Sequence, residues 1–232
     1  MNLGGLQKTS LIDYPRKISC ILFLSGCNFD CPYCHNPQLI KGIPTAPDQL
    51  NETSLFDFLE KRRGLLEGVV ITGGEPTLQS DLTALCERIK QLGYPVKLDT
   101  NGSRPHVIGR LIDQGLVDYI AMDIKTVPAG YSPYLWKHAD PDRILLSIST
   151  ILNSGLPHEF RTTCVRPFVD AEIIAGIARL IEGAQLYALQ KFHDGTVLHP
   201  EFFQDKNVFF EDLDLQHFKS IAAPRVQKCV IR

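Results

Sequence analysis

At 232 residues the chain is 44% hydrophobic and 22% charged, with 24 Lys and Arg against 26 Asp and Glu and a net charge of −2. That is an ordinary globular composition, which excludes disorder and a small disulfide-stapled scaffold, and its near-neutral balance offers no basic footprint for nucleic acid. The apolar run 18–24 is far shorter than the roughly 20 residues of a membrane helix, and residues 1–10 hold no signal-peptide apolar region. One large domain spanning residues 1–232 is expected, cytoplasmic, with neither a nucleic-acid nor a membrane partner.

In chain order, residues 17–25 are β-rich and nearly all apolar, which suits a strand buried on both faces of a parallel sheet. A loop with three Cys follows it, and then a Pro- and Gly-punctuated segment at 41–47. Leu55, Phe58, Leu59 and Leu66 recur at helical spacing, and residues 68–72 read as a second strand. Ser80 or Asp81 can cap a helix carrying Leu82, Leu85, Cys86 and Ile89 that ends at Gly93. Strands are predicted at 95–100 and 118–125, a helix around Ile144, Leu145, Ile148, Ile151 and Leu152, a strand at 159–165, a helix at about 171–181, and a strand at 185–192. Residues 198–232 add an aromatic-rich loop, a short helix near 213–221 and a last strand at 226–231. Six βα units with right-handed crossovers imply a parallel sheet, doubly wound or curled into a barrel, and are too few for a standard eight-stranded barrel.

The seven Cys are an odd number, and Cys27, Cys31 and Cys34 crowd into one loop at the C-terminal end of the first of these strands. That crowding points to a metal in a reducing compartment. Three thiolates can ligate three irons of a [4Fe–4S] cluster and leave the fourth open to a non-protein ligand. The competing reading is a zinc site completed by Cys20 or His35. No second Cys knuckle is present, and Cys20, Cys86, Cys164 and Cys229 fall in apolar stripes or strands, where a thiol packs as a small hydrophobe.

The run CxxxCx-aromatic-C, with Tyr33 in the aromatic place, resembles the radical S-adenosylmethionine (SAM) enzymes. Cys34-His35-Asn36, Gly73-Gly74-Glu75-Pro76, Leu98-Asp99-Thr100-Asn101-Gly102 and Asp123-Ile124-Lys125 extend the resemblance to the glycyl-radical-enzyme activases. The opening 4–15 looks most like the anaerobic ribonucleoside-triphosphate reductase activating proteins, with Arg16 standing where that subgroup usually has Gly. The resemblance implies a partial TIM-type (β/α)6 barrel of parallel strands, a radical SAM core at about 17–193 and a C-terminal extension at about 198–232. It implies that Cys27, Cys31 and Cys34 hold the cluster and are catalytic. SAM contacts fall to Tyr33, His35, Gly73, Gly74, Glu75, Asn101, Asp123, Lys125, Arg161 and His193. A monovalent cation is implied at Asp99, Thr100, Asp123 and the carbonyl of Met122. Independently of the resemblance, Asp123 and Lys125 are two apart on one predicted strand and so point the same way.

The implied reaction is reductive cleavage of SAM to methionine and a 5′-deoxyadenosyl radical, which abstracts hydrogen from a backbone glycine of a partner, an anaerobic ribonucleotide reductase or a similar glycyl radical enzyme. Flavodoxin or ferredoxin would supply the electron. Two other readings are kept open. One is a radical SAM enzyme acting on a small molecule, like 7-carboxy-7-deazaguanine synthase. The other is a non-catalytic zinc or iron–sulfur binding module.

Overall fold

The computed structural model describes residues 2–40, 50–193, 195–204 and 207–232. The Pro- and Gly-punctuated segment expected at 41–47 lies outside the described residues. The chain forms two compact units. The first comprises Met1–Asn28, Asn36–Thr100 and His106–Ile120, the second Phe29–His35, Asn101–Pro105 and Ala121–Arg232.

In the first unit, β1 (Leu3–Ser10) runs antiparallel to β2 (Ser19–Leu24). Strand β2 is parallel to β3 (Gly68–Gly73), and β3 to β4 (Val96–Thr100). Strand β5 (Tyr119–Asp123) begins in this unit and finishes in the second. There, β6 (His158–Cys164), β7 (Tyr187–Lys191) and β8 (Cys229–Ile231) pair in parallel and in chain order. The six predicted strands correspond to β2 through β7, and the predicted last strand to β8.

Helices follow the strands as a βα alternation requires: α1 (Pro37–Ile40), α2 (Glu52–Lys61), α3 (Leu82–Gln91), α4 (Pro105–Asp113), α5 (Pro141–Leu152), α6 (Ala171–Leu180) and α7 (Asp212–Ala222). Helix α3 buries Leu82, Leu85, Cys86 and Ile89 on one stripe, each large aliphatic side chain contributing about 1.5–3 kcal/mol. Asn51 caps α2 by accepting a hydrogen bond from the Ser54 amide at 2.9 Å, and Ser54 closes the reciprocal bond. Leu66 departs from its expected helical place. Helix α2 stops at Lys61, the chain turns through Gly64 at φ +76°, and Leu66 enters the core from that turn.

Strand β1 and helix α4 have no counterpart among the predicted elements. The two glycines of β1 mask its alternation. Gly4 is needed there because a Cβ would strike the Leu39 side chain and lie 2.6 Å from the Ser25 hydroxyl. Strand β4 carries the one fully buried ammonium among the described lysines, Lys97. It is neutralised by Asp99 at 2.6 Å and lies 5.8 Å from the Tyr119 ring centre, as a buried charge requires.

Candidate active site

In the first unit, β2 delivers the chain to the cysteine loop, and β3 ends beside it in parallel register, with Leu24 opposite Gly73. The amide of Gly74 donates to Leu24 O and that of Glu75 to Gly26 O, both at 2.8 Å. A Cβ on Gly73, whose φ is +131°, would collide with the Leu24 backbone, and one on Gly74 would collide with Gly26 O. Gly-Gly is thus demanded by the approach of two loop backbones. Cys27, which follows Gly26, is half-buried and is in no disulfide.

Glu75 is fully buried. Its Oε1 accepts from the Thr77 amide at 3.2 Å, from the Thr77 hydroxyl and from the Thr100 hydroxyl at 2.7 Å. It ties the end of β3 to the end of β4. Asp99 is held by Lys97, so the carboxylate expected at a cation site has a protein ammonium on it.

In the second unit, residues 29–35 are gripped from several sides. The Phe29 ring meets Tyr131 at 5.6 Å and Trp136 at 5.1 Å, and the Asp30 amide donates to Leu135 O at 2.9 Å. The Cys34 amide donates to Cys31 O at 3.0 Å, closing a turn that carries both thiols. Cys31 is buried and Cys34 half-buried. Tyr33 packs against Phe168 and Phe192, and the exposed His35 ring stacks on Phe192 at 5.3 Å. Asn101 accepts from the Ser103 amide at 2.9 Å and shapes the turn that contains Gly102 at φ +77°. A Cβ on Gly102 would strike Met122, which is buried on β5.

The electrostatic centre of this unit is Asp123. Arg161 Nε donates to its Oδ1 at 2.7 Å and Lys125 Nζ to its Oδ2 at 3.0 Å. Burial pushes the Asp123 carboxyl up, but the Arg161 guanidinium and Lys125 ammonium outweigh it and hold the group far below the usual carboxylate range. Burial opposes the Lys125 charge, and Asp123 followed by Cys31 more than restores it, raising the ammonium above its ordinary value. Glu159 lies 2.8 Å from Arg232 and 3.8 Å from Arg161. Among the described residues, these ion pairs link Lys125, Arg161 and Arg232 to Asp123 and Glu159. His193 is exposed at the end of β7, outside this ion-pair set.

Two observations bear on whether a cluster and SAM suit these residues. The Tyr33 hydroxyl is buried without a hydrogen-bond partner, and such an orphan costs roughly 1–3 kcal/mol unless a ligand satisfies it. The donor set is also apt: three thiols not joined in disulfides within eight residues, and a planar guanidinium held on Asp123. Among the described residues, no three His, Cys, Asp or Glu side chains are gathered as a metal-binding group.

The alternation of strand and helix, the parallel pairing of β2 to β4 and of β6 to β8, and the loop chemistry at the strand ends define an α/β protein of the partial (β/α)6 type. The family profile of the radical SAM superfamily matches residues 21–180, and the chain belongs to that superfamily. It is a radical SAM enzyme, whose cofactors are a [4Fe–4S] cluster and SAM. A Methanocaldococcus jannaschii protein named "putative glycyl-radical enzyme activating enzyme" is 35% identical over 99% of this chain and 95% of its own length. A second protein of that organism with the same designation is 29% identical over 79% of this chain and 69% of its own. Among solved structures, Streptococcus suis SuiB bound to its precursor peptide SuiA aligns with a TM-score of 0.65 at 13% identity. That alignment covers 90% of this chain and 47% of SuiB, so this chain spans about half its length. At that identity the likeness is one of fold.

Proposed function

We propose that this enzyme is an activase that generates a glycyl radical on a partner protein, an anaerobic ribonucleoside-triphosphate reductase. The end-to-end match to the M. jannaschii activating enzyme supports the activase role, and the resemblance of residues 4–15 to the reductase activating proteins points to the reductase as partner. In this reading Cys27, Cys31 and Cys34 hold the [4Fe–4S] cluster as thiolates. When bound, the cluster supplies one electron to the sulfonium of SAM, releasing methionine and a 5′-deoxyadenosyl radical.

The remaining roles fall to groups of this chain. The Arg161 guanidinium and Lys125 ammonium suit the SAM carboxylate by their chemistry, with Asp123 fixing the guanidinium plane. The amides of Gly74 and Glu75 are committed to Leu24 and Gly26, so a SAM amino group would be accepted by backbone carbonyls of 73–74. The orphaned Tyr33 hydroxyl would donate to the bound cofactors. Asn101 shapes its turn, Glu75 joins the β3 and β4 ends, and His193 is assigned an outer SAM contact. Asp99 takes Lys97 as counter-ion, and no step depends on an alkali cation.

Hydrogen transfer from the partner's glycine gives 5′-deoxyadenosine and a glycyl radical that its flanking amides delocalise. An external flavodoxin or ferredoxin supplies the electron, and the setting is the anaerobic cytoplasm. The test is electron paramagnetic resonance of the partner reductase after anaerobic incubation with reduced, reconstituted enzyme and SAM. A glycyl doublet that needs SAM and this enzyme is the expected result. SAM cleavage with no doublet on that reductase would overturn the assigned partner.

A further inference from the structure

The segment that begins at His199 carries no motif that the reaction uses, yet His199 makes two polar contacts to the cysteine loop. The His199 amide donates to Pro32 O at 3.1 Å. Its ring lies 2.9 Å from Asp30 Oδ1 through Nε2 and 3.0 Å from Glu201 Oε1 through Nδ1. Behind the polar contacts is a run of rings: Phe202 stacks on Phe168 at 5.4 Å and meets Tyr134 at 5.4 Å, Phe203 meets Phe192 at 5.9 Å, and Phe168 and Phe192 both face Tyr33.

We propose that the turn Pro200–Phe203, with His199 ahead of it, is a clasp that fixes residues 30–34 for cluster binding, with His199 as the positioning residue. The clasp holds the loop at Asp30, Pro32 and Tyr33, and these residues alternate with or adjoin Cys31 and Cys34. The thiols are thus placed from the C-terminal extension as well as from the strand that precedes them. An exposed His–Asp contact alone is worth little. What makes a clasp is its combination with the backbone bond to Pro32 and the ring ladder on Tyr33, since one short segment then restrains consecutive positions of the loop.

The inference rests on reading Cys31 and Cys34 as cluster ligands, and its test separates the two. Iron release to a chelator is timed in the reconstituted wild type, His199→Ala, Asp30→Asn and the double variant. Hydrogen exchange of the Asp30 and Cys34 amides is measured in the same proteins without iron. The clasp predicts iron loss about fivefold faster in each single variant, corresponding to the loss of one modest charge contact. It also predicts no further loss in the double variant, because both substitutions cut the same link, and faster exchange confined to residues 29–35. Wild-type release rates and exchange in His199→Ala, or additive effects in the double variant, would overturn the clasp and leave the cluster reading standing. If the wild type takes up no cluster, the cluster reading fails, and exchange alone decides whether the clasp exists.

Discussion

Seven thiols divide into two chemical groups. Burial pushes the Cys20, Cys86 and Cys164 thiols up to about 12 and Cys229 up to about 11, so at pH 8 they remain protonated and poor nucleophiles. Brief iodoacetamide treatment of the iron-free native protein is expected to label Cys27 and Cys34, both half-buried, and to spare those four until denaturant is added. Mass spectrometry of the peptides reads this directly. Arg16 supplies a second prediction at this scale. Its φ of +63° is left-handed, a region that costs a side-chain-bearing residue about 1–2 kcal/mol. Arg16→Gly should stabilise the protein by up to about 1 kcal/mol, because glycine gives back part of the gain as unfolded-state entropy. Calorimetry would then show a melting point higher by about 2–4 °C. Arg16 stands where the resembling subgroup usually has Gly, and its left-handed backbone is the physical reason such a position favours Gly.

Among the elements, the junction of β2 and β3 leaves the least freedom. Gly74→Ala puts a Cβ into Gly26 O, immediately before Cys27. Neither partner is a flexible side chain, so the loop itself must shift. The expected loss is roughly 1–3 kcal/mol of stability together with reduced iron per chain, measured by melting and metal analysis. A variant that keeps wild-type iron would show that this approach does not position the loop. In the second unit, Tyr33→Phe keeps the ring packing against Phe168 and Phe192 and removes the buried orphan hydroxyl. Without cofactors it should be as stable as the wild type or up to about 1–3 kcal/mol more so. With cluster and SAM bound, that advantage should vanish.

The strands that form the parallel sheet were legible because continuous apolar runs bounded by Gly and Pro have few alternatives. Strand β1 was not, since Gly4 and Gly5 remove two side chains from its eight-residue pattern. At Gly4 the missing side chain reflects the closeness of Leu39 and Ser25, a tertiary fact. The motif residues of the site could be read one by one. The pairing of Asp99 with Lys97, the commitment of Glu75 to Thr77 and Thr100, and the grip of His199 on Asp30 could not, because each depends on residues brought together only by folding.

Among the described residues no helix is long and apolar enough to cross a membrane. Three thiols in one loop are expected to support reductive cleavage of SAM. The most direct measurement is 5′-deoxyadenosine formed by anaerobically reconstituted, reduced protein, with iron and zinc determined on the same sample and Cys31→Ala run beside it. The account predicts about four irons per chain and 5′-deoxyadenosine that disappears in Cys31→Ala. Zinc in place of iron, or full cleavage without the Cys31 thiol, would contradict it.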